Sequence, residues 1–372
     1  MDCECSGGVP PQKSGNTVKE VFSVLFLYWK SEEKVFAWVS VIALVGISLL
    51  GVVTALIIND WYNHFYNSIQ ELDMKRFYSL ILIFFGVIMF SVLRSVLVTY
   101  LIDIMAVRWR KWLTNYYLSA WMVNYACCGK LEGCVDNPDQ RIAEDINKFT
   151  YETLDLGSGL IYAVTSIVSF SVVLINISGD LTVFGVVIPV YMFWAAIFYA
   201  LGGTYAIQKI GAKLASLSNK QQSSEADFRY FLVRFRDRSS VVPLCPGGGL
   251  EKDRISGKLD VSLANMREII GVKVRLSLFT ECYSQLSLVF SSLLAAPRFF
   301  SGSISFGDLM QINSAFGNLY ENLSWFVNVY PRLADWKATT DRLTSFHLFL
   351  KQLPAFELSQ SAERRERVEV NS

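Results

Sequence analysis

Residues 35–59, VFAWVSVIALVGISLLGVVTALIIN, run for 25 residues without one charged side chain. As a helix such a run rises about 37 Å, enough to cross the roughly 30 Å hydrocarbon core of a bilayer with some tilt. Trp38 and Trp61 bracket it as interfacial anchors. A chain carrying this segment is constrained to a membrane fold, and the rest of the sequence repeats the pattern. Hydrophobic residues make up 52% of the chain and charged residues 18%, against about 25% charged in an ordinary soluble domain.

Five further spans are expected at about 77–107, 157–177, 181–207, 276–300 and 306–330, which makes an all-α membrane protein of six transmembrane helices. The second span carries Arg94 and Asp103, and the fifth carries Glu281. The fourth includes Pro189, expected to lie within the helix and kink it. The third and fourth are separated by so short a turn that they should form a helical hairpin. The sixth is the most polar: Asn313, Asn318, Glu321 and Asn322 suit a helix that lines a polar cavity. Burying a charge near the bilayer centre costs roughly 2.5–3.5 kcal/mol on insertion scales, so Arg94, Asp103, Glu281 and Glu321 are candidates for a water-filled path or a proton relay. Asp103 could instead sit in a solvated cytoplasmic extension. Arg94 and Asp103 are about 14 Å apart along a helix and cannot pair directly.

Ahead of the first span, residues 17–33 read TVKEVFSVLFLYWKSEE. Thr17 is placed as an N-cap with Glu20 at the capping-box offset. The apolar part is too short to span, so an interfacial elbow helix in the membrane plane is expected, with a soluble packing helix as the alternative. Residues 1–16 and 351–372 read as a disordered tail and a charged tail, and 331–353 as an amphipathic exit helix. The first twenty residues are polar and do not form a cleavable signal peptide, so the first span is expected to direct insertion.

Charge sets the orientation. Thirty of the 34 Lys and Arg residues fall in the N-terminal part, in 108–157, in 208–275 and in 331–372, whereas the loops near 60–76 and 298–306 hold three and Arg94 lies within a span. The positive-inside rule then puts both termini and both long polar loops in the cytoplasm. The net charge of +1 gives no basis for a nucleic-acid partner. Cysteines occur at 3, 5, 127, 128, 134, 245 and 282, none with zinc-site spacing, and the two histidines are His64 and His347. No metal site and no cofactor are expected, and the thiols should be reduced.

The two long cytoplasmic segments keep helical patterning, with a break at Asn137–Pro138. Spans that run well past the membrane are the shape of an exporter-type ABC transmembrane domain. The residues there carry a resemblance. WRKWLTNYYLSAWM at 109–122, DNPDQRIAEDINKF at 136–149, EADFRYFLVRFRDRS at 225–239 and LADWKATTDRLTSF at 333–346 resemble the fused permease/ATPase family of bacterial YddA-like proteins and peroxisomal fatty-acyl transporters. The resemblance covers about 17–350. The same membrane domain is similar to SbmA/BacA-type peptide transporters, which work without an ATPase domain of their own. One departure is SSVVPLCPGGGLEKD at 239–253, where Pro243 and Pro246 would break the helix. The other is the ATPase domain, expected to be missing. The only Gly-Lys pairs, Gly129-Lys130 and Gly257-Lys258, are each followed by leucine, so no Walker A loop is present.

The resemblance implies that Asp136, Asn137, Asp139, Gln140, Arg141, Glu144 and Asp145 form one ATPase-docking or coupling element, with Glu225, Phe228 and Arg229 as a second. A solvated loop and a set of retention charges are the plainer readings of the same residues. The cavity or relay set is Arg94, Asp103, Glu281, Asn313, Asn318 and Glu321. No catalytic constellation is visible, so the chain is expected to be no enzyme. The expected function is the permease half of a transporter for peptides, vitamin-like or amphipathic molecules. It would sit in the cell (inner) membrane among lipid as a homodimer, driven by protons or by a separately encoded ATPase. The alternative is a non-transporting truncated or assembly-partner membrane protein.

Overall fold

The computed structural model describes residues 18–128, 138–183, 186–237 and 248–352. Apart from short connecting turns and one short β-hairpin, they are helical. In chain order come α1 (Val18–Leu27), a 3-10 turn (Tyr28–Lys30), α2 (Lys34–Gln70), α3 (Met74–Cys128), the single turn α4 (Pro138–Gln140), a π-helical turn (Arg141–Asp145) and α5 (Ile146–Ser178). Strands β1 (Asp180–Val183) and β2 (Val186–Pro189) precede α6 (Tyr191–Asp237), α7 (Gly248–Phe300) and α8 (Phe306–Gln352). Three stretches, Lys34–Gln70, Met74–Met122 and Pro138–Ser178, are long and apolar enough to cross a membrane by length and composition. At 55 residues, α3 extends for about 80 Å, far beyond a bilayer's apolar thickness. The expected cap Thr17, the break residue Asn137, and Pro243 and Pro246 lie outside the described residues.

The chain divides into two compact units, Met1–Phe170 with Trp325–Ser372, and Ser171–Ser324. In the first, the core is aromatic. Tyr28 stacks on Trp109 at 5.9 Å, and Trp29 and Phe149 meet the same indole edge-on at 4.7 and 5.3 Å. Val24, Tyr28, Trp109, Leu113, Tyr117, Phe346 and Leu350 are buried together. From α1, Val24 thus joins a buried core shared with residues of α3 and α8, while Tyr28 donates its hydroxyl hydrogen to Glu33 Oε2 at 2.9 Å. Trp61 stacks on Phe65 and Phe84 and donates its indole N–H to the Leu80 carbonyl at 2.8 Å, which locks α2 to α3. Asp73 Oδ1 accepts from the Lys75 and Arg76 amides, both at 3.1 Å, and caps α3. Along α3, Leu82, Phe85, Met89, Leu93 and Val96 stay exposed, an apolar face suited to lipid.

In the second unit α6 packs along α7. Tyr199 stacks on Tyr283 at 4.2 Å and on Phe290 at 4.9 Å. Each of the two tyrosines donates its hydroxyl to the other's carbonyl. The start of α8 carries a capping box: the Ser305 amide donates to Asp308 Oδ2 at 2.8 Å and the Asp308 amide to Ser305 Oγ at 3.1 Å.

The connection after α5 corrects two expectations. Asp180–Val183 and Val186–Pro189 are not the first turns of a helix but the antiparallel strands β1 and β2, registered Asp180 to Pro189 and Val183 to Val186. Pro189 therefore ends a strand and kinks no helix, and α6 starts at Tyr191. Six of the nine residues from Thr182 to Val190 are β-branched, which favours extended backbone, and a proline lacking its N–H is tolerated at a strand end. Among the described residues, Pro297 lies inside α7 and Pro331 inside α8. At Pro331 the expected sixth span and exit helix run on as one helix.

Candidate functional site

Within the first unit a cavity of about 340 Å³ opens among α2, α3, α5 and α8. Ser48 comes from α2, Arg94 and Thr99 from α3, Asp155, Ser158 and Tyr162 from α5, and Trp325 and Arg332 from α8. The polar groups are unevenly matched. Ser48 and Ser158 share a hydrogen bond at 3.3 Å. Arg332 Nη2 donates to Asp155 at 2.6 Å and to Glu152 at 2.7 Å, so its charge is answered twice. Arg94 has no such answer: its Nε is buried without a hydrogen-bond partner. A buried donor left unsatisfied costs about 1–3 kcal/mol, so this nitrogen is a net cost to the fold. Gly51 makes room for it. A Cβ at that position would lie 2.7 Å from Arg94 Nη1 and 3.2 Å from the Tyr162 ring, so the guanidinium sits where any larger residue would displace it.

Below the cavity in sequence, the π turn carries the NPDQRIAED motif. Its last residue, Asp145, is buried. Arg141 Nη1 reaches Asp145 Oδ2 at 2.9 Å, one turn back on the same helix. Arg342 of α8 adds Nε to Oδ2 at 3.0 Å and Nη2 to Oδ1 at 2.7 Å. Burial by itself would raise the Asp145 carboxyl, but the hydrogen bonds and charges of Arg342 and Arg141 outweigh it and hold the group below its ordinary value. Asp139, Gln140 and Glu144 point the other way and are exposed, Gln140 donating to Glu144 at 3.1 Å. The expected docking set thus splits in two: Asp145 and Arg141 turn inward, and Asp139, Gln140 and Glu144 offer a polar outer face. Asp136 and Asn137 lie outside the described residues. A π turn at this point is a common mark of function. A charged seam continues along α5 and α8 through Lys148–Asp335 at 3.0 Å and through the Trp336 indole N–H, which donates to Thr153 Oγ1 at 2.8 Å.

In the second unit, Glu225 and Arg229 are exposed on α6 and Phe228 is half-buried. Gln221 bridges Glu225 at 2.9 Å and Ser262 of α7 at 2.7 Å, and Lys258 pairs with Asp227 at 3.2 Å. Asn313 is buried between helices, accepting from Ser291 at 2.8 Å and donating to Ser292 at 2.9 Å. Asn318 donates to the Ser314 carbonyl at 2.9 Å. Glu281 and Glu321 are exposed on their helices, as is Asp103 on α3 in the first unit. Of the expected cavity set, Arg94 alone lines the cavity of the first unit.

Residues 22–300, three quarters of the chain, match the family model described as ABC transporter transmembrane region 2. The chain belongs to this family. It is 34% identical over 316 residues to the inner membrane ABC transporter ATP-binding protein YddA of Escherichia coli, covering 82% of this chain and 56% of that protein. It is 30% identical over 333 residues to the chloroplastic ABC transporter D family member 2 of Arabidopsis thaliana, covering 88% of this chain and 45% of that protein. The human lysosomal cobalamin transporter ABCD4 is 24% identical over 295 residues, 78% of this chain and 46% of that protein. The chain thus spans about half the length of the curated relatives it matches. A membrane component of an ABC transporter gives a reason for helices longer than a bilayer and for a charged seam beyond the apolar stretches. The residues that sequence patterning missed are Glu152, Asp155, Arg332 and Arg342. Their only signal is the spacing of two carboxylates at i and i+3 on one helix and of basic residues on another.

Proposed function

We propose that this chain is the permease half of a transporter moving peptides, vitamin-like or amphipathic molecules across a membrane. Six spans would give half a pathway, and two copies a whole one, with both termini on the cytoplasmic side of a cell membrane. The observation that carries the reading is the cavity of about 340 Å³ around Arg94, walled by four helices of a chain in an ABC transmembrane family. Energy comes from an ATPase acting on the outer face of Asp139, Gln140 and Glu144. Relatives about twice as long are described as ATP-binding proteins, which supports that choice.

A second reading, proton drive, is favoured by the exposed carboxylates Glu281 and Glu321 at expected membrane depth. Uptake into sealed vesicles separates the two. Accumulation with ATP and a co-purifying ATPase, unaffected by collapse of the proton gradient, supports ATP drive. Accumulation that follows the gradient without ATP supports proton drive. No accumulation with either source would overturn the transporter reading in favour of a non-transporting assembly partner.

A further inference from the structure

We infer that the cavity of the first unit is an anion site, and that Arg94 is the residue that holds the carboxylate or phosphate end of an amphipathic ligand. The inference rests on the permease reading for its purpose, but not for its chemistry. A guanidinium offers five donors in a fixed plane matched to carboxylate and phosphate oxygens. In this cavity one arginine is already spent, since Arg332 is bound to Asp155 and Glu152. Arg94 is not, and its Nε is buried without a partner. Gly51 backs its guanidinium so closely that the charge is held at one place on the wall. The Ser48 and Thr99 hydroxyls in the same lining already donate to the Leu44 and Ser95 carbonyls, so the guanidinium carries the recognition of an oxyanion. Trp325, Val98 and Val329 supply apolar wall for the ligand's stem. About 340 Å³ lies within the ordinary range of small-molecule pockets.

Two sources could supply that anion: a free amphipathic carboxylate or an anionic lipid headgroup. The test uses the full chain in nanodiscs of phosphatidylcholine, with octanoate as probe and octan-1-ol as the uncharged control. Equilibrium dialysis should show saturable octanoate binding, weakened at least tenfold in Arg94→Gln and only partly in Arg94→Lys, with octanol binding unchanged. Gly51→Ala keeps the charge but displaces it and should also weaken octanoate. Thermal unfolding without ligand is the structural control: Arg94→Gln should melt at or above the wild-type temperature, because it removes an unanswered charge. Octanoate binding that survives Arg94→Gln would overturn the proposal, as would an Arg94→Gln protein that unfolds early or does not fold. Displacement of octanoate by added phosphatidylglycerol assigns the headgroup as a ligand, and absence of displacement assigns the free carboxylate. Because binding is read without transport, an inactive transporter with Arg94-dependent binding would refute the permease reading and leave the anion site standing.

Discussion

Arg342 grips Asp145 with two hydrogen bonds, one to each carboxylate oxygen, across nearly two hundred residues of sequence. Arg141 adds a third from the same π turn. Asp145→Ala takes away the carboxylate that both arginines share. Removing one member of a buried charge cluster typically costs about 3–5 kcal/mol, and the outcome expected here is the lower end, since Arg342 is 40% exposed. Arg342→Lys keeps the charge but loses the fork and should cost about 1 kcal/mol. Thermal unfolding in detergent reads both. An unchanged Tm for Asp145→Ala would mean the cluster does not hold α5 to α8.

Acid should loosen the first unit in two stages. His347, buried beside Tyr116 and Tyr117, is pushed down from 6.5 to about 4 by burial and by Lys351. Between those values the unfolded chain binds a proton that the folded chain refuses, so stability falls as pH drops from about 6.5 to about 4, by roughly 3 kcal/mol in all. Asp145 acts further down. Its folded carboxyl titrates below the ordinary 3.8, so its contribution is present above that value and is lost as pH falls through the lower one. A plot of Tm against pH should therefore slope between pH 6.5 and 4, and His347→Phe should flatten that slope while leaving the drop at lower pH.

Adjacent glycines of α6 should behave differently. A Cβ on Gly203 would lie 2.2 Å from the Tyr283 ring, whereas one on Gly202 meets only the Tyr283 hydroxyl at 3.7 Å. The Tyr283 ring is stacked and hydrogen-bonded and cannot step aside cheaply. Gly203→Ala is expected to destabilise by about 1–3 kcal/mol through overpacking. Gly202→Ala should be neutral or slightly stabilising, by up to about 1 kcal/mol, as helix propensity favours alanine. Equal melting temperatures for the pair would contradict the packing.

Gly179 follows α5 with φ of +56°, and a Cβ there would lie 2.8 Å from the Arg298 guanidinium. Arg298 Nη1 donates to the carbonyls of Ile177 and Ser178, closing the end of the helix. Gly179→Ala meets both the left-handed backbone, about 1–2 kcal/mol, and the displaced arginine. Gly302, at φ +73°, has open space around it. Gly302→Ala should cost the backbone part alone. Chemical denaturation of the two variants should place Gly179→Ala below Gly302→Ala.

Orientation and energy source each have a direct readout. In a cysteine-free background, Glu71→Cys and Ser301→Cys, both exposed, should react with an impermeant thiol reagent from outside, and Lys252→Cys only after permeabilisation. Labelling of position 252 in intact cells would invert the topology. Glu281→Gln and Glu321→Gln should leave ATP-driven uptake within about twofold, since exposed polar substitutions usually change little. Abolished uptake in either, with normal expression, would favour proton drive.

The sequence alone determined the solvent of this protein and the family it belongs to. A charge-free 25-residue run admits a bilayer-crossing helix because a helix satisfies every backbone group within its own segment in lipid. The motifs at 109–122, 136–149 and 225–239 were local enough to be read without any contact being known. Apolar character alone does not separate helix from strand at Leu181–Val183 and Val186–Pro189, where β-branching favours strands. What tertiary structure decided is which charges meet. Asp145 and Glu144 are neighbours in one motif, yet one is buried under two arginines and the other faces out, and no periodicity assigns Arg342 to the first. The same holds for the two cavity arginines. In sequence each is a basic residue near an apolar run. Only the folded packing supplies Arg332 with two carboxylates and leaves Arg94, pressed against Gly51, with none. The reason is physical: helix propensity and hydropathy act over a few residues, whereas the pairing of a buried charge depends on side chains brought together from distant turns.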